Sequence, residues 1–458
     1  MFEKMVRWIR NLLERTFDWK ATSLTISSDM ESAIASWVAM YENHPPWSKK
    51  DCGSLNLAAA IASELARLAT IEAEITISGQ ERADFLTTQL LPFLDTLRNN
   101  AEYGCALGGI VFKPYVSNGR VIVDAVQGDC FFPVSFDTSG KLIGAVFIDQ
   151  LKRKGTIYTR LEYHEFTAGR HHIQNKAFAS NTGVSLGHEI DLADVPEWKN
   201  IAPDIRFEHL DRPLFSYFRF PSANKTDRHS PLGESCFAPA ADLLRRADEQ
   251  YGRYLWEFEG GELAIDAAAD YVLADEDGKS QLPKGKKRLF RCFKSPNDNF
   301  YQVFSPNLRD ESIKRGLNTL LQRIEFACGL AYGTLSDPQN VDKTAEEIKS
   351  SKQRSYATVS DIQKALQSAI EDLVYAMDKL TTLYHLAPEG TYKIRCNWDD
   401  SIVNDPDAEK MMFWQYVTAG KYPFWRYLVR FEGYSEEEAK QIANEAGGGT
   451  PKLFPGDE

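Results

Sequence analysis

The sequence predicts an α+β fold, in which helices and antiparallel strands occupy separate stretches of the chain. Three observations support this prediction. Helical periodicity dominates residues 28–103, strand-like alternation follows over residues 110–218, and two long amphipathic runs enclose a strand-rich segment at residues 260–307. A chain of 458 residues exceeds the size at which one hydrophobic core stops growing, so more than one sub-domain is expected.

Three helices are predicted before the strands. Residues 28–41 and 55–68 carry apolar side chains at helical spacing, and residues 82–103 continue the pattern with a kink or an interruption expected at Pro92. Residues 1–20 are basic and amphipathic as well. They predict a helix that docks on the body or on a neighbouring subunit, with a helix on a membrane surface as the alternative.

The strand region begins with a hairpin signal. Residues 111–115 and 121–123 flank Asn118-Gly119, a dipeptide typical of two-residue hairpin turns. Further strands are predicted at residues 145–149, 157–164, 172–178 and 214–220. His171 and His172 lack the HExxH frame of a zinc site, and the pattern predicts that they are surface histidines in a turn.

Two long helices are predicted around the small β segment. Residues 235–258 follow helical spacing and end at Gly260-Gly261, and the returning helix begins after Pro306. Each helix would bury only one face on its partner, so copies of the chain are expected to cover the remaining faces.

The rest of the chain is predicted to be mainly helical. Asp342 caps a helix over residues 343–356, and a second helix covers residues 359–384. Residues 392–396 form a strand, Ser435 and Glu438 form a capping box, and the last dozen residues are expected to be a loose tail.

Composition excludes several classes of protein. The net charge of −12 does not suit a sequence-specific DNA-binding protein. Two possibilities remain: the protein contacts no nucleic acid, or DNA passes it without binding tightly. The seven cysteines contain no CxxC pair, which argues against disulfides and zinc and favours a reducing compartment. No signal peptide and no membrane span are predicted, and no cofactor or metal is expected.

Several short motifs together resemble phage portal proteins, in particular the branch found in tailed phages and prophages of Gram-positive hosts. They are SLNLA at residues 54–58, IASELARL at 61–68, YGCALGG at 103–109, FKPY at 112–115, SPLG at 230–233, LWEFEGGELA at 255–264, KTAEEI at 343–348 and WDDSI at 398–402.

The resemblance implies a homo-oligomeric ring, usually of twelve subunits, at one vertex of the capsid. Double-stranded DNA would pass through its channel during packaging and ejection. The implied partners are the terminase large subunit, the major capsid and scaffolding proteins, and a head-completion adaptor. The implied location is the virion, with assembly in the host cytoplasm.

The resemblance also implies a division of the chain into the parts of a portal subunit. The expected parts are a wing at residues 1–233, stem helix 1 at 234–259, a clip at 260–307, stem helix 2 at 308–333, a tunnel segment at 334–358, and a helical crown with a returning strand at 359–458.

The candidate DNA-channel residues are the cations of the tunnel segment: Lys343, Lys349, Lys352 and Arg354. Portal resemblance places this segment near DNA, where shallow rings of positive charge would attract phosphates without regard to sequence. The alternative is an ordinary solvated helix with ion pairs such as Lys343–Glu347 and Glu346–Lys349.

Two further groups of candidates belong to the predicted clip and stem. Basic residues of the clip are candidates for docking partner proteins, or else they form a solubilising loop beside an edge strand: Lys284, Lys286, Lys287, Arg288, Arg291 and Lys294. Candidates for stem contacts between subunits are Arg245, Arg246, Tyr251, Tyr254, Trp256 and Phe258, with Asp248 and Glu249 as partners for inter-subunit ion pairs.

The expected protein is not an enzyme. Asp277-Gly278-Lys279-Ser280 imitates the end of a phosphate-binding loop, but Leu273 stands where its first glycine belongs. Two alternatives remain. One is a phage-associated metal-dependent nuclease that uses Asp399, Asp400 and Asp405, and the other is an adaptor or minor head protein.

Overall fold

The computed structural model describes residues 25–48, 53–181, 186–268, 290–293, 301–337, 345–398 and 406–445. The chain divides into two units, Met1–Cys396 and Asn397–Glu458, which are described separately.

The first unit begins with the predicted helices. Helix α1 spans Ser28–Tyr41, and the Ser27 hydroxyl caps it by accepting a hydrogen bond from the backbone N–H of Met30. Helix α2 spans Leu57–Thr70, and strand β1, Ala73–Gly79, follows it.

The predicted interruption does not fall at Pro92, and the alternative of a kink at this residue stays a prediction. Helix α3, Glu81–Asp95, continues through Pro92, and the break falls at Thr96, before helix α4, Leu97–Leu107. Proline removes one backbone hydrogen bond without ending the helix here. The backbone N–H and the hydroxyl of Thr96 both donate to the carbonyl of Phe93, which closes the last turn tightly.

The predicted hairpin is confirmed. Strands β2, Gly109–Ser117, and β3, Arg120–Gln127, pair antiparallel with Ser117 opposite Arg120. Asn118 and Gly119 both have positive φ angles, 51° and 72°, as a two-residue type I′ turn requires.

The strands that follow form a larger antiparallel sheet. They are β4, Phe131–Phe136, β5, Leu142–Arg153, β6, Thr156–Thr167, β7, Arg170–Ser180, β8, His188–Ile190, and β9, Asp204–Phe207. In this six-stranded sheet the order is β4-β5-β6-β7-β8, and β9 also pairs with β7. Strand β10, Ser216–Arg219, joins the hairpin in a three-stranded sheet with the order β10-β2-β3.

Apolar side chains of both sheets meet in one core. Its buried members are Val111, Phe131, Leu142, Ala145, Phe147 and Phe215. The prediction for His171 was wrong, because this residue lies inside strand β7 and is fully buried, while His172 points to the other face and pairs with Asp204. The turn precedes strand β7, at Ala168 and Gly169, which both have positive φ.

The two long helices and the small β segment are present. Helix α5 spans Ala241–Gly260 and helix α6 spans Asp310–Cys328, and the two pack together. Between them lie strands β11, Ala264–Ala268, β12, Phe290–Phe293, and β13, Tyr301–Phe304. Strand β11 is central, parallel to β12 and antiparallel to β13.

One helix replaces the two that were predicted after residue 342. Helix α7 runs without a break from Ala345 to Leu383. The expected gap at residues 357–358 contains no glycine or proline. The hydroxyl of Thr358 donates a hydrogen bond to the carbonyl of Arg354 within the helix. Strand β14, Tyr392–Trp398, then pairs with β1, which lies more than three hundred residues earlier in the chain.

The second unit contains short helices. They are α8, Pro406–Thr418, α9, Phe424–Phe431, and α10, Glu436–Glu445. The predicted capping box is confirmed: the Ser435 hydroxyl accepts from the N–H of Glu438, and the Glu438 carboxylate accepts from the N–H of Ser435.

Candidate nucleic-acid interface

The turn after helix α6 is held by side chains of that helix. The carboxylate of Glu325 is 0% exposed and accepts hydrogen bonds from the N–H of Leu335 at 2.6 Å and from the N–H of Ser336 at 2.8 Å. The Ser336 hydroxyl donates to the same carboxylate at 2.9 Å. Asn318 accepts from the N–H of Asp337 at 2.8 Å. These contacts determine where the chain leaves helix α6 towards residue 338.

The long helix α7 closes the same turn from the other side. The hydroxyl of Ser351 accepts from the N–H of Tyr332 at 2.7 Å. Gly329 ends helix α6 with a φ of +74°, and a Cβ atom there would lie 2.4 Å from Oγ1 of Thr358. Two features therefore favour glycine at this position: the positive φ angle, and the close approach of helix α7.

The four predicted channel residues fall at or after this turn. Lys343 lies outside the described residues, and Lys349 lies on helix α7, where the structure does not describe its side chain. Lys352 is exposed on the helix. The guanidinium of Arg354 stacks 4.3 Å from the centre of the Phe326 ring, so this cation packs on helix α6. Contact of these residues with DNA stays a prediction.

A second carboxylate, that of Glu257, joins the end of helix α5 to the beginning of helix α6. Glu257 accepts from the backbone N–H of Arg309 at 2.9 Å and from its guanidinium at 3.1 and 2.8 Å. The hydrogen bonds from Arg309 hold the pKa of the Glu257 carboxyl below its ordinary value. Helix α6 therefore begins at a position set by the last turns of helix α5.

Aromatic candidates of the predicted stem lie along helix α5. The rings of Tyr251 and Tyr254 stack at 6.5 Å, and Tyr254 meets Phe258 edge to face at 5.0 Å. Trp256 is 63% exposed and borders a groove of about 480 Å³ between the two helices. The other groove residues are Gln250, Arg253, Glu257, Arg309, Ser312 and Ile313.

The charged stem candidates make ion pairs within their own helix. Arg245 contacts Asp242 at 2.7 Å and Glu249 at 3.1 Å, and Arg246 also contacts Asp242 at 2.7 Å. Spacings of three and four residues are typical of such pairs on one helix face. A role of Arg245 and Arg246 between subunits stays a prediction.

Asp248 does not suit the predicted inter-subunit ion pair. It is buried, and its carboxylate accepts from Nε1 of Trp47 at 2.9 Å and from the backbone N–H of Leu55 at 2.9 Å. The residue therefore anchors the start of helix α5 to the chain segments beside helices α1 and α2.

Most basic candidates of the predicted clip lie outside the described residues. These are Lys284, Lys286, Lys287, Arg288 and Lys294. Arg291 lies in strand β12, in register with Asp266 of β11. Strands β12 and β13 are the two edges of this small sheet as far as it is described.

Metal-binding clusters were sought in the described part of the chain. It contains no group of three or more His, Cys, Asp or Glu side chains placed to hold a metal ion. Asp399, Asp400 and Asp405 of the nuclease alternative and the sequence around Lys279 lie outside the described residues.

No described helix combines the length and the apolar character that crossing a membrane requires. Free thiols are present at Cys105, Cys130, Cys236, Cys328 and Cys396.

Sequence reasoning missed the polar residues that hold the turn, namely Asn318, Glu325 and Ser351. The available signal was Gly329 followed by Thr334 and residues 336–337, a composition typical of tight turns. The pattern does not reveal which helix residues accept the hydrogen bonds of the turn.

The chain was compared with curated proteins, with solved structures and with models of protein families. No significant match was found among curated proteins. Among solved structures, the chain is similar to one described as "Neck of native GTA particle computed with C12 symmetry", with 12% sequence identity, a TM-score of 0.39, and coverage of 90% of this chain and 97% of that chain. The family model described as "Phage portal protein, SPP1 Gp6-like" matches residues 54–452, which is most of the chain. The chain therefore belongs to the SPP1 Gp6-like family of phage portal proteins.

Proposed function

We propose that this portal protein assembles with copies of itself into a closed ring of twelve subunits at one vertex of a phage capsid. Double-stranded DNA enters the capsid through the ring during packaging and leaves through it at infection. The observation that carries the proposal, beside the family, is the excursion of the chain through helix α5, a small sheet and helix α6. In this proposal the two helices are the stem and the small sheet is the clip.

Exposed apolar residues support assembly through this excursion. Large apolar side chains are exposed near the end of helix α5 and around the small sheet, where a single chain would leave them in water: Leu255, Trp256, Phe258, Leu263, Val303 and Leu308. Contiguous exposed apolar surface is typical of protein contacts. A ring closes through two different surfaces of each subunit, so one copy covers the exposed face of the next.

The charges of the chain support passage of DNA without tight binding. The net charge of −12 repels phosphates, and the proposed channel cations Lys343, Lys349, Lys352 and Arg354 oppose this repulsion locally. Copies of these few cations in a ring give weak attraction that does not depend on base sequence. The turn at residues 329–337, which is held by both helices, would place them at a fixed radius.

The small sheet is the proposed docking surface for partner proteins. Its edge strands β12 and β13 offer backbone groups that a neighbouring subunit or a partner can pair with. The proposed partners are the terminase large subunit and the head-completion adaptor at the clip, and the major capsid and scaffolding proteins around the ring. We place the protein in the virion, with assembly in the host cytoplasm, and assign it no enzymatic activity, metal or cofactor.

Native mass spectrometry of the purified chain, with negative-stain images of the same sample, tests the ring. The expected result is a particle of about twelve subunits with an axial hole. Because some rings assemble only on other virion proteins, a monomeric sample is mixed with the scaffolding and capsid proteins. A chain that stays monomeric in that mixture overturns the proposal.

Incubation of duplex DNA with the protein and Mg²⁺ or Mn²⁺ tests the nuclease alternative. No cleavage above that of a mock preparation is expected. Cleavage that depends on the metal and is lost in Asp400→Ala would show that the chain is an enzyme.

A further inference from the structure

A row of buried polar side chains runs from strand β2 to the segment before strand β10. Lys113 Nζ lies 2.6 Å from Glu162 Oε2, and Glu162 Oε1 lies 2.8 Å from His164 Nε2. His164 Nδ1 lies 2.9 Å from His171 Nε2, and His171 Nδ1 faces the backbone N–H of Leu214 at 3.5 Å. Both imidazoles are at most 2% exposed.

The hydrogen bonds of this row have one possible direction when both imidazoles are neutral. An ionised Glu162 only accepts, so Nε2 of His164 carries its proton and Nδ1 is bare. Nε2 of His171 must then donate to that bare nitrogen, which leaves Nδ1 of His171 to accept from the N–H of Leu214. Every contact in the row is satisfied by this assignment of tautomers.

One added proton cannot be accommodated. A proton added to His164 Nδ1 points at the N–H on Nε2 of His171, so two donors face each other. If the His171 proton moves to Nδ1 instead, that N–H points at the N–H of Leu214, and two donors face each other there. Wherever the proton resides, one contact has two donors and no acceptor. The longest contact, at Leu214, is the one expected to break.

The surroundings favour the neutral pair. Burial lowers the pKa of His164 although Glu162 opposes it, and burial together with the neighbouring His164 lowers the pKa of His171 well below its ordinary value. The rings of Phe147 and Phe215 meet the imidazoles edge to face.

The charged groups around the pair come from several strands. The groups that act on the imidazoles are Lys113 on β2, Arg160 and Glu162 on β6, and His172 on β7. Asp124 and Asp149 lie further out, within 4.0 Å of Lys113 and 3.5 Å of Arg160 respectively.

The segment that the row holds is also the contact of the sheet with the long helix. Leu210 and Leu214 pack against Ala376 and Leu380 of helix α7. The N–H of Asp211 donates to the hydroxyl of Tyr375 at 2.8 Å, and Arg212 pairs with Asp372 at 2.6 Å. Residues 210–215 therefore lie between the histidine pair and helix α7.

We propose that the histidine pair is an acid-sensitive contact. It ties Leu214 to the six-stranded sheet while His164 and His171 are neutral, and it releases Leu214 when the pair takes up one proton. The consequence is a weaker attachment of helix α7 to the sheet in acid. This proposal does not depend on ring formation or on passage of DNA.

Backbone hydrogen–deuterium exchange of the full-length protein tests the proposal. After correction for the intrinsic rate, the amide of Leu214 is expected to exchange about tenfold faster at about pH 4 than at about pH 7.5, the change that loss of one hydrogen bond gives. The exchange of each histidine C2 hydrogen, read by mass spectrometry on the same samples, reports which ring takes up the proton.

Two sets of variants make the result specific. The double variant His164→Gln, His171→Gln has no titrating ring in the row, and its exchange ratio is expected to fall to that of the hairpin at residues 111–126. His172→Gln, on the opposite face of the same strand, is the matched control and is expected to keep the wild-type ratio.

The wild-type titration decides the matter if the double variant does not fold. The proposal requires the faster exchange of the Leu214 amide to share its midpoint with His164 or His171. Equal protection at both pH values, or a midpoint that follows His172, overturns the proposal.

Discussion

Two carboxylates hold helix α6 at both of its ends. Glu257 of helix α5 accepts from the backbone and the guanidinium of Arg309, just before helix α6 begins. Glu325, in the last turns of helix α6, accepts from the backbone and hydroxyl groups of the turn that follows. Hydrogen bonds to an ionised carboxylate are stronger than those between neutral groups. Single residues therefore set the position of this helix more sharply than apolar packing alone would.

Glu325→Ala is expected to destabilise the first unit by about 3 kcal/mol, because it leaves the buried N–H of Ser336 and the partly buried N–H of Leu335 without an acceptor. Denaturant unfolding of the full-length protein measures the change. Glu311→Ala, at an exposed position of the same helix, is the control and is expected to stay within about 0.5 kcal/mol of wild type. Equal effects of the two substitutions would contradict the role of Glu325.

Glu257→Gln is expected to change how stability depends on acidity. The pKa of Glu257 in the folded protein lies below its ordinary value of 4.5, so the carboxylate stabilises the fold above that pH and the stabilisation is lost as the pH falls through the folded-state pKa. The wild type should therefore lose its advantage over Glu257→Gln below about pH 4.5 and keep it at neutral pH. Thermal melts at several pH values measure this, with the exposed Glu259→Gln as control. A difference that does not change with pH would refute the linkage.

At the scale of elements, helix α7 connects the parts of the first unit. Its first turns hold the turn after helix α6 through Ser351, and its last turns hold helix α3 through Arg82. The guanidinium of Arg82 is almost fully buried, donates to Thr382 at 2.8 Å and lies 3.5 Å from Asp378. One continuous helix therefore connects the turn after helix α6 with helix α3.

Ala357→Pro tests the continuity of this helix. Ala357 is exposed, so the effect comes from the backbone: about 3 kcal/mol for proline and about 1 kcal/mol for Ala357→Gly. Denaturant unfolding measures both. Had a break fallen at residues 357–358, as the sequence pattern predicts, proline would be tolerated there. A cost for proline below that for glycine would therefore contradict the continuous helix.

For the whole molecule, the proposed ring gives the exposed apolar residues around helices α5 and α6 a role, because a neighbouring subunit would bury them. The unfolded chain exposes them as well, so they contribute little to the stability of one subunit. Their burial against a neighbouring subunit would stabilise the ring instead. Substitutions there should separate assembly from folding.

Trp256→Ser is expected to leave the unfolding of the subunit within about 1 kcal/mol of wild type, because the indole is 63% exposed, and to reduce the fraction of ring. Native mass spectrometry and thermal melts measure the two quantities. Ile71→Ser, at another exposed apolar position far along the chain, is the control and is expected to assemble normally. Unchanged ring formation in Trp256→Ser would remove this groove from the interface while leaving the portal function standing.

Much of the fold could be predicted because its signals are local. The hairpin needed only Asn118 and Gly119, whose positive φ angles suit a two-residue turn. The capping box needed only Ser435 and Glu438. Helices α1, α2 and α6 were found within a few residues of their bounds from apolar periodicity, whereas helix α5 begins six residues later than predicted, at Ala241. The family was indicated by short motifs spread along the chain.

Local patterns in the sequence were enough to predict the class of fold, most of the helices and the portal family, since each of these depends on neighbouring residues or on motifs. The folded chain was needed to show that His171 is buried beside His164, that Asp248 anchors Trp47 and Leu55, and that β14 pairs with β1. The physical reason is that burial and hydrogen-bond partners depend on which distant segments pair. A histidine next to a turn has the same local pattern whether its strand faces water or a second sheet.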